Sequence, residues 1–308
     1  MFPLEPGRVF IHDVAVRDGF QGEPAFVPTA DKIRLIDRLS RAGLAKIEAT
    51  SFVSPKAVPN LRDAEEVLRG IERVPGVVYA ALVPNLRGAG RALAAGADEL
   101  NLVMSASESH NQANLRMSCA ASLEQFAAVL ALPRGPAVRV CGTVATSFGC
   151  PFEGEVPLAR VLWAAERYLA LGMHGITLAD TTGMADPRQV SVVARAFRAA
   201  FPAVPLTLHF HNTRGLGLAN VLAALDAGVT RFDASLGGIG GCPFAPGATG
   251  NICTEDLVHM LQSMGVDTGV DLDLLLAAAR SLPALLGHDV PGQVLKAGKR
   301  LDLHRRPA

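Results

Sequence analysis

The chain has 308 residues, of which 49% are hydrophobic and 19% charged, which suits a compact globular protein with one large core. Its 29 basic and 29 acidic side chains balance, and no basic stripe with interleaved aromatics occurs, which argues against a nucleic-acid partner. No run of about 18 apolar residues is present, so no spanning helix and no membrane partner are expected.

The five cysteines (119, 141, 150, 242 and 253) are odd in number and irregularly spaced, as reduced thiols are. The opening "MFPLEPGRVFIHD" has no basic region followed by an apolar core, and the cytoplasm is the expected compartment.

Short apolar or β-branched runs alternate with amphipathic helical stretches along the whole chain. The first strand is expected at 8–13, "RVFIHD", and leads to Arg17, Asp18 and the helical "TADKIRLIDRLSRAGL". The second, 46–50, contains Glu48; the third and fourth fall at 77–83 and 99–104, and the fifth at 138–146. The helical "PLARVLWAAERYLALGM" separates this from the sixth strand, 175–180, which ends on Asp180. The seventh, 205–211, closes on His209 and His211, and the eighth spans 230–235. Helix-ending glycines precede several strands, as in "RAGLAKIEA", "AAGADELNL" and "DAGVTRFDA".

Eight strand–helix units without a long linker predict an α/β fold, a (β/α)8 TIM barrel over residues 1–267. Residues 268–308 are expected as a C-terminal helical extension packed on it. The absence of a glycine fingerprint after the first strand argues against a dinucleotide site.

In such barrels the reacting groups stand at the C-terminal ends of strands, and inward residues nearer the other end fill the core. Asp13, Arg17, Asp18, Glu48, Asp180, His209, His211, Cys242 and Asn251 are therefore expected to project toward one mouth. Side chains alternate along a strand, so His209 and His211 share a face. Two imidazoles and a carboxylate make a metal shell, with Asp18 as the preferred third ligand and Asn251 as a further oxygen. The alternative is a pair of hydrogen-bonded rim histidines without an ion. Arg17 is suited to a substrate oxygen or an enolate, or it is salt-bridged to its neighbour. Cys242, among glycines in "GGIGGCPFAPGATGN", suits a mobile proton donor or acceptor, whereas Cys119, Cys141, Cys150 and Cys253 suit inert buried thiols. Thr254 is the expected cap of the next helix, with Glu255 and Asp256 in its first turn.

"VRDGFQGE", "GLAKIEATSFVSPKAVP", "VPNLRG", "SFGCPFEG", "LADTTG", "HFHNTRG" and "GGIGGCPFAPGATGNICTEDLVHML" run in order over almost the whole chain. Together they resemble the 3-hydroxy-3-methylglutaryl-CoA lyase family of metal-dependent lyases. The resemblance implies that Asp18, His209, His211 and Asn251 hold a divalent cation, Mg or Mn. It also implies Arg17 at the substrate carbonyl, Cys242 as the mobile acid or base, and Glu48, Asp180 and Glu255 in support. The implied reaction cleaves an acyl-CoA thioester to acetyl-CoA and acetoacetate, late in leucine breakdown, with Asp180 or His209 taking the hydroxyl proton. A homodimer is the usual assembly of the family.

Several positions depart from the family pattern. Asn212 stands where an aspartate is usual and Arg214 where a tyrosine is usual; Thr143 and Cys141 replace a tyrosine and an arginine, and Gly22 and Pro24 an asparagine and a lysine. These bear on the substrate, leaving a citramalyl-CoA or a longer 3-branched glutaryl-CoA open. Three other readings are an acyl-CoA condensing enzyme, which the Cys242 loop disfavours, a two-histidine iron oxygenase, which the strand–helix alternation disfavours, and a non-catalytic binding barrel.

Overall fold

The computed structural model describes residues 7–241 and 250–303, so Cys242 lies outside the described residues. The eight strands are β1 (Phe10–Asp13), β2 (Lys46–Ser51), β3 (Val78–Leu82), β4 (Glu99–Ser105), β5 (Arg139–Ala145), β6 (Ile176–Asp180), β7 (Leu206–Phe210) and β8 (Arg231–Ala234). Each lies within the stretch read from the sequence or overruns it by one residue. All pair in parallel, and β8 pairs β1 to close the barrel.

The helices are α1 (Thr29–Arg41), α2 (Ala64–Gly70), α3 (Leu86–Ala94), α4 (Glu108–Leu115), α5 (Cys119–Leu130), α6 (Leu158–Ala170), α7 (Pro187–Ala200) and α8 (Gly217–Asp226). They continue with α9 (Thr254–Ser263), α10 (Leu272–Ala279), α11 (Leu282–Leu286) and α12 (Val294–Ala297). No helix among the described residues is long and apolar enough to cross a membrane.

Local chemistry sets the helix ends. Asn85 accepts from the Gly88 amide to start α3, and Asp186 accepts from the Arg188 and Gln189 amides ahead of Pro187 in α7. The glycines expected to end helices do so with left-handed backbone, Gly43 at φ 87°, Gly96 at 87°, Gly172 at 92° and Gly228 at 79°. Thr254 is not the cap of α9: Cys253 occupies that position, and the Thr254 hydroxyl instead donates to Asp13 at 2.7 Å.

The apolar core lies between the barrel and its helices. Outward residues such as Ile47, Leu100, Leu102, Val140, Ile176 and Leu208 meet Leu35, Ile36, Val161 and Ala164, all buried. The barrel lumen, expected to be filler, is charged. Lys46 on β2 donates to Glu99 on β4 at 2.5 Å, and Asn101 on β4 donates to Glu48 on β2 at 2.9 Å. Since β3 lies between these strands, both bonds cross the interior. A lumen of ion pairs does little for stability, so cohesion falls to the outer layer.

The C-terminal segment buries Leu275, Leu276 and Leu282 in the same apolar core and adds polar ties. The Asp271 amide donates to Ala42 at 2.8 Å, and Asp256 accepts from the Gln293 and Val294 amides at the start of α12. His288 also meets Glu23 at 2.7 Å, linking this segment to the loop after β1. If the outer layer carries the stability, Leu102→Ala, at a fully buried outward position, should destabilise the protein by about 2–5 kcal/mol, read as a lowered urea midpoint.

Candidate metal centre

After β1 the chain makes one wide helical turn, Ala15–Gly19, in which the Arg17, Asp18 and Gly19 amides all reach back to the Val14 carbonyl. That turn brings Asp18 over the barrel mouth. His209 faces inward from β7, and His211, one residue beyond the strand, pairs as a β-bridge with Asn251. The Asn212 amide donates to Gly250 and the Ile252 amide to Phe210, so two backbone bonds fasten the Asn251 segment beside β7.

These elements bring Asp18, His209 and His211 together with ligand atoms within 4.8 Å of one another. The two Nε2 atoms are 3.1 Å apart, and His211 Nε2 is 3.9 Å from Asp18 Oδ2. Asn251 donates from Nδ2 to Asp18 at 2.7 Å and to the Ile239 carbonyl, while its Oδ1 is buried without a partner. An acceptor left so costs about 1–3 kcal/mol. Two convergent imidazole nitrogens, a carboxylate and an orphaned carbonyl oxygen suit a hard or borderline divalent cation.

The electrostatics favour the same assignment. Burial opposes charge on Asp18, but Arg17, His211, His209 and the Asn251 amide outweigh it and hold the carboxyl down at about 2. Burial, with His209 and Arg17 nearby, pushes His211 down to about 4, leaving a neutral imidazole. Burial also opposes charge on His209, yet Asp233 and Asp18 carry its pKa above the ordinary value.

Arg17 is clamped between two carboxylates. Its Nε donates to Glu48 and its Nη1 to Asp18 at 2.6 Å. Glu48 is held in turn by Asn101, and Asn101 accepts from Thr143 at 2.8 Å. Thr143 thus ends a chain of side chains that fixes the guanidinium.

The other expected site residues make contacts of their own. Asp13 accepts from Thr254 and from the Ala15 amide, so it braces the barrel rather than joining the mouth. Asp180 Oδ1 accepts from the Met184 and Ala185 amides, its Oδ2 is buried without a partner, and burial pushes its pKa up to about 6. Glu255 is not part of the convergent group; its Oε2 accepts from the Gly237 amide at 3.0 Å, supporting the turn after β8. Arg214 reaches the Thr182 and Gly183 carbonyls, and Asn212 accepts from the Gly217 amide. These bonds hold loops around the turn after β7.

Sequence reasoning did not single out His12, Asn101 or Asp233, all of which face the lumen. The signal available is alternation: Asn101 shares the face of Glu99, and His12 the face opposite Asp13, though alternation alone does not say which face turns inward.

Burial raises the Glu255 pKa from 4.5 to about 7. The folded protein then holds that proton more tightly than the unfolded chain, so stability is greatest below the unfolded value and falls as pH rises toward 7. Glu255→Gln keeps an acceptor for Gly237 and should flatten the melting profile over this range, removing up to about 3 kcal/mol of pH dependence. Calorimetry across the range reads the difference.

The comparisons agree with this geometry. The HMGL-like family model matches residues 8–282. The hydroxymethylglutaryl-CoA lyase of Bacillus subtilis is 46% identical over 96% of this chain and 98% of its own. The (R)-citramalyl-CoA lyase of Chloroflexus aurantiacus is 45% identical over 94% and 95%. A solved HMG-CoA lyase from Acinetobacter baumannii, in complex with coenzyme A and 3-methylmalate, superposes with a TM-score of 0.94 at 56% identity, over 97% of this chain and 98% of that one. By its motifs, its closed barrel and these matches, the chain belongs to the HMGL-like family.

Proposed function

We propose that the chain is a divalent-metal-dependent carbon–carbon lyase that cleaves 3-hydroxy-3-methylglutaryl-CoA to acetyl-CoA and acetoacetate. The observation that carries this reading is the meeting of Asp18, His209 and His211 beside a clamped arginine, in a family of such lyases. Asp18, His209, His211 and Asn251 would hold the cation, assigned as Mg or Mn. Such an ion, when bound, acidifies a substrate hydroxyl and polarises an oxygen beside it.

The remaining steps fall to the chain's own residues. Asp180, with an unpartnered Oδ2 and a pKa near 6, is assigned to take the tertiary hydroxyl proton. The electron pair of the O–H bond becomes the new ketone of acetoacetate as the C–C bond breaks. The electrons of that bond pass to the thioester enolate. Arg17 has its Nε and Nη1 committed to Glu48 and Asp18, which leaves its Nη2 hydrogens for the enolate oxygen. Protonation of the enolate carbon is assigned to Cys242, giving acetyl-CoA.

A second reading is a citramalyl-CoA lyase, favoured by the Chloroflexus relative and by Thr143 and Cys141 on β5. The two acyl groups differ by one methylene, which a pocket discriminates by about 10–200-fold. Purified protein with Mg or Mn should release acetyl-CoA from the 3-hydroxy-3-methylglutaryl thioester at least about tenfold more efficiently than from citramalyl-CoA. The reverse preference would install the second reading. Metal-stripped protein should be inactive with either thioester and recover on adding the ion. Arg17→Lys keeps a positive charge but loses the two-carboxylate clamp, so kcat should fall by about 10²–10³.

A further inference from the structure

Beneath the metal centre, Asp233 on β8 stands in register with His12 on β1 and with His209 on β7. Each of its carboxylate oxygens faces one imidazole. Oδ1 is 2.9 Å from His12 Nδ1, and Oδ2 is 3.4 Å from His209 Nδ1. An ionised carboxylate only accepts, so each Nδ1 carries the proton of its bond, and each Nε2 of a neutral ring is left with a lone pair. For His209, Nε2 is the atom that converges with His211 and Asp18. Asp233 therefore dictates the tautomer in which His209 can bind a cation.

The two ligand histidines differ in this respect. His211 Nδ1 is buried without a partner, so no carboxylate fixes its ring, whose Nε2 meets only His209 Nε2 at 3.1 Å and Asp18 Oδ2 at 3.9 Å. Preorganisation thus falls on Asp233, whose orientation in turn needs an anchor. Lys46 and Arg17 both act on Asp233 electrostatically, and each offers the carboxylate an alternative direction. His12, 2% exposed and kept neutral by burial and by Lys46, supplies the opposing tether.

We propose that His12 is a positioning residue of the metal centre. By donating from Nδ1 to one oxygen of Asp233, it aims the other at His209 and so presents the His209 Nε2 lone pair to the cation. This rests on the reading of Asp18, His209 and His211 as the cation site, but not on which thioester is cleaved. The bland alternative is a core histidine satisfied by a neighbouring acid.

Manganese binding to the metal-stripped full chain, followed by the electron paramagnetic resonance of free Mn2+ with no substrate present, separates the two. His12→Leu keeps most of the volume and removes the donor, and it should weaken Mn2+ affinity by about 10-fold. His12→Asn places an amide N–H where Nδ1 stands and should restore affinity close to that of the parent. A purely structural His12 would lower the metal-free melting temperature of the leucine variant and leave the Mn2+ affinity of the folded protein unchanged; that result overturns the proposal. So does equal weakening by leucine and asparagine. If the leucine variant does not fold, 15N NMR of the parent decides: Nδ1–H on both His12 and His209 supports the proposal, and a His209 Nδ1 without a proton overturns it. A parent that binds no Mn2+ removes the cation site and this inference together, whereas a parent that binds Mn2+ but cleaves a different thioester leaves the inference standing.

Discussion

Two buried imidazoles with their Nε2 atoms 3.1 Å apart, beside the Asp18 carboxylate, crowd three potential donor atoms around one point. Most of the architecture around the mouth serves to hold that arrangement. Closure of β8 on β1 brings Asp18 round to β7; the wide turn after β1 lifts it over the rim; the bridge between His211 and Asn251 brings in an amide whose nitrogen is spoken for and whose oxygen is not. Each piece comes from a different part of the chain. No local stretch folds into the centre without the ring.

The centre is possible because stability is made elsewhere. A barrel lumen packed with branched aliphatic side chains would contribute more to folding than one containing Lys46, Glu99, Glu48, Asp233 and His12. The outward faces of the strands bury the apolar surface against the helices, and the lumen is released for polar chemistry. Its groups are satisfied in pairs that cross from strand to strand, which fixes their directions. Direction is what a metal site and a clamped guanidinium need, since each loses function with small displacements.

Much of this was legible in the sequence, and the failures have a common cause. Strand positions, the helix-ending glycines and the pairing of His209 with His211 follow from periodicities of a few residues, which the chain displays directly. The side of the barrel that β8 turns inward does not: Asp233 is one polar residue in "TRFDAS", and only its register with His12 and His209 tells which way it points. Asp13 failed for the same reason. It adjoins His12, so inward placement of one requires outward placement of the other, and its carboxylate meets Thr254 behind the barrel wall. Arg214 and Asn212 read in the sequence as departures that bear on the substrate; in the fold Arg214 reaches the loop after β6 and Asn212 caps its own turn at Gly217. Cys242 was legible as a motif, and its placement lies outside the described residues.

The clamp on Arg17 explains why the side chain at this position has to be planar. Glu48 takes Nε and Asp18 takes Nη1 from the same rigid fork, so one side chain is aligned by one carboxylate while neutralising a second that also faces the cation site. A lysine offers a single point charge and could satisfy one carboxylate only by leaving the other. The chain from Thr143 through Asn101 to Glu48 then acquires a purpose that the residues alone do not suggest. It transmits the position of β5 to the guanidinium across the lumen, so a substitution at Thr143 would move Arg17 through Asn101 and Glu48 without touching it.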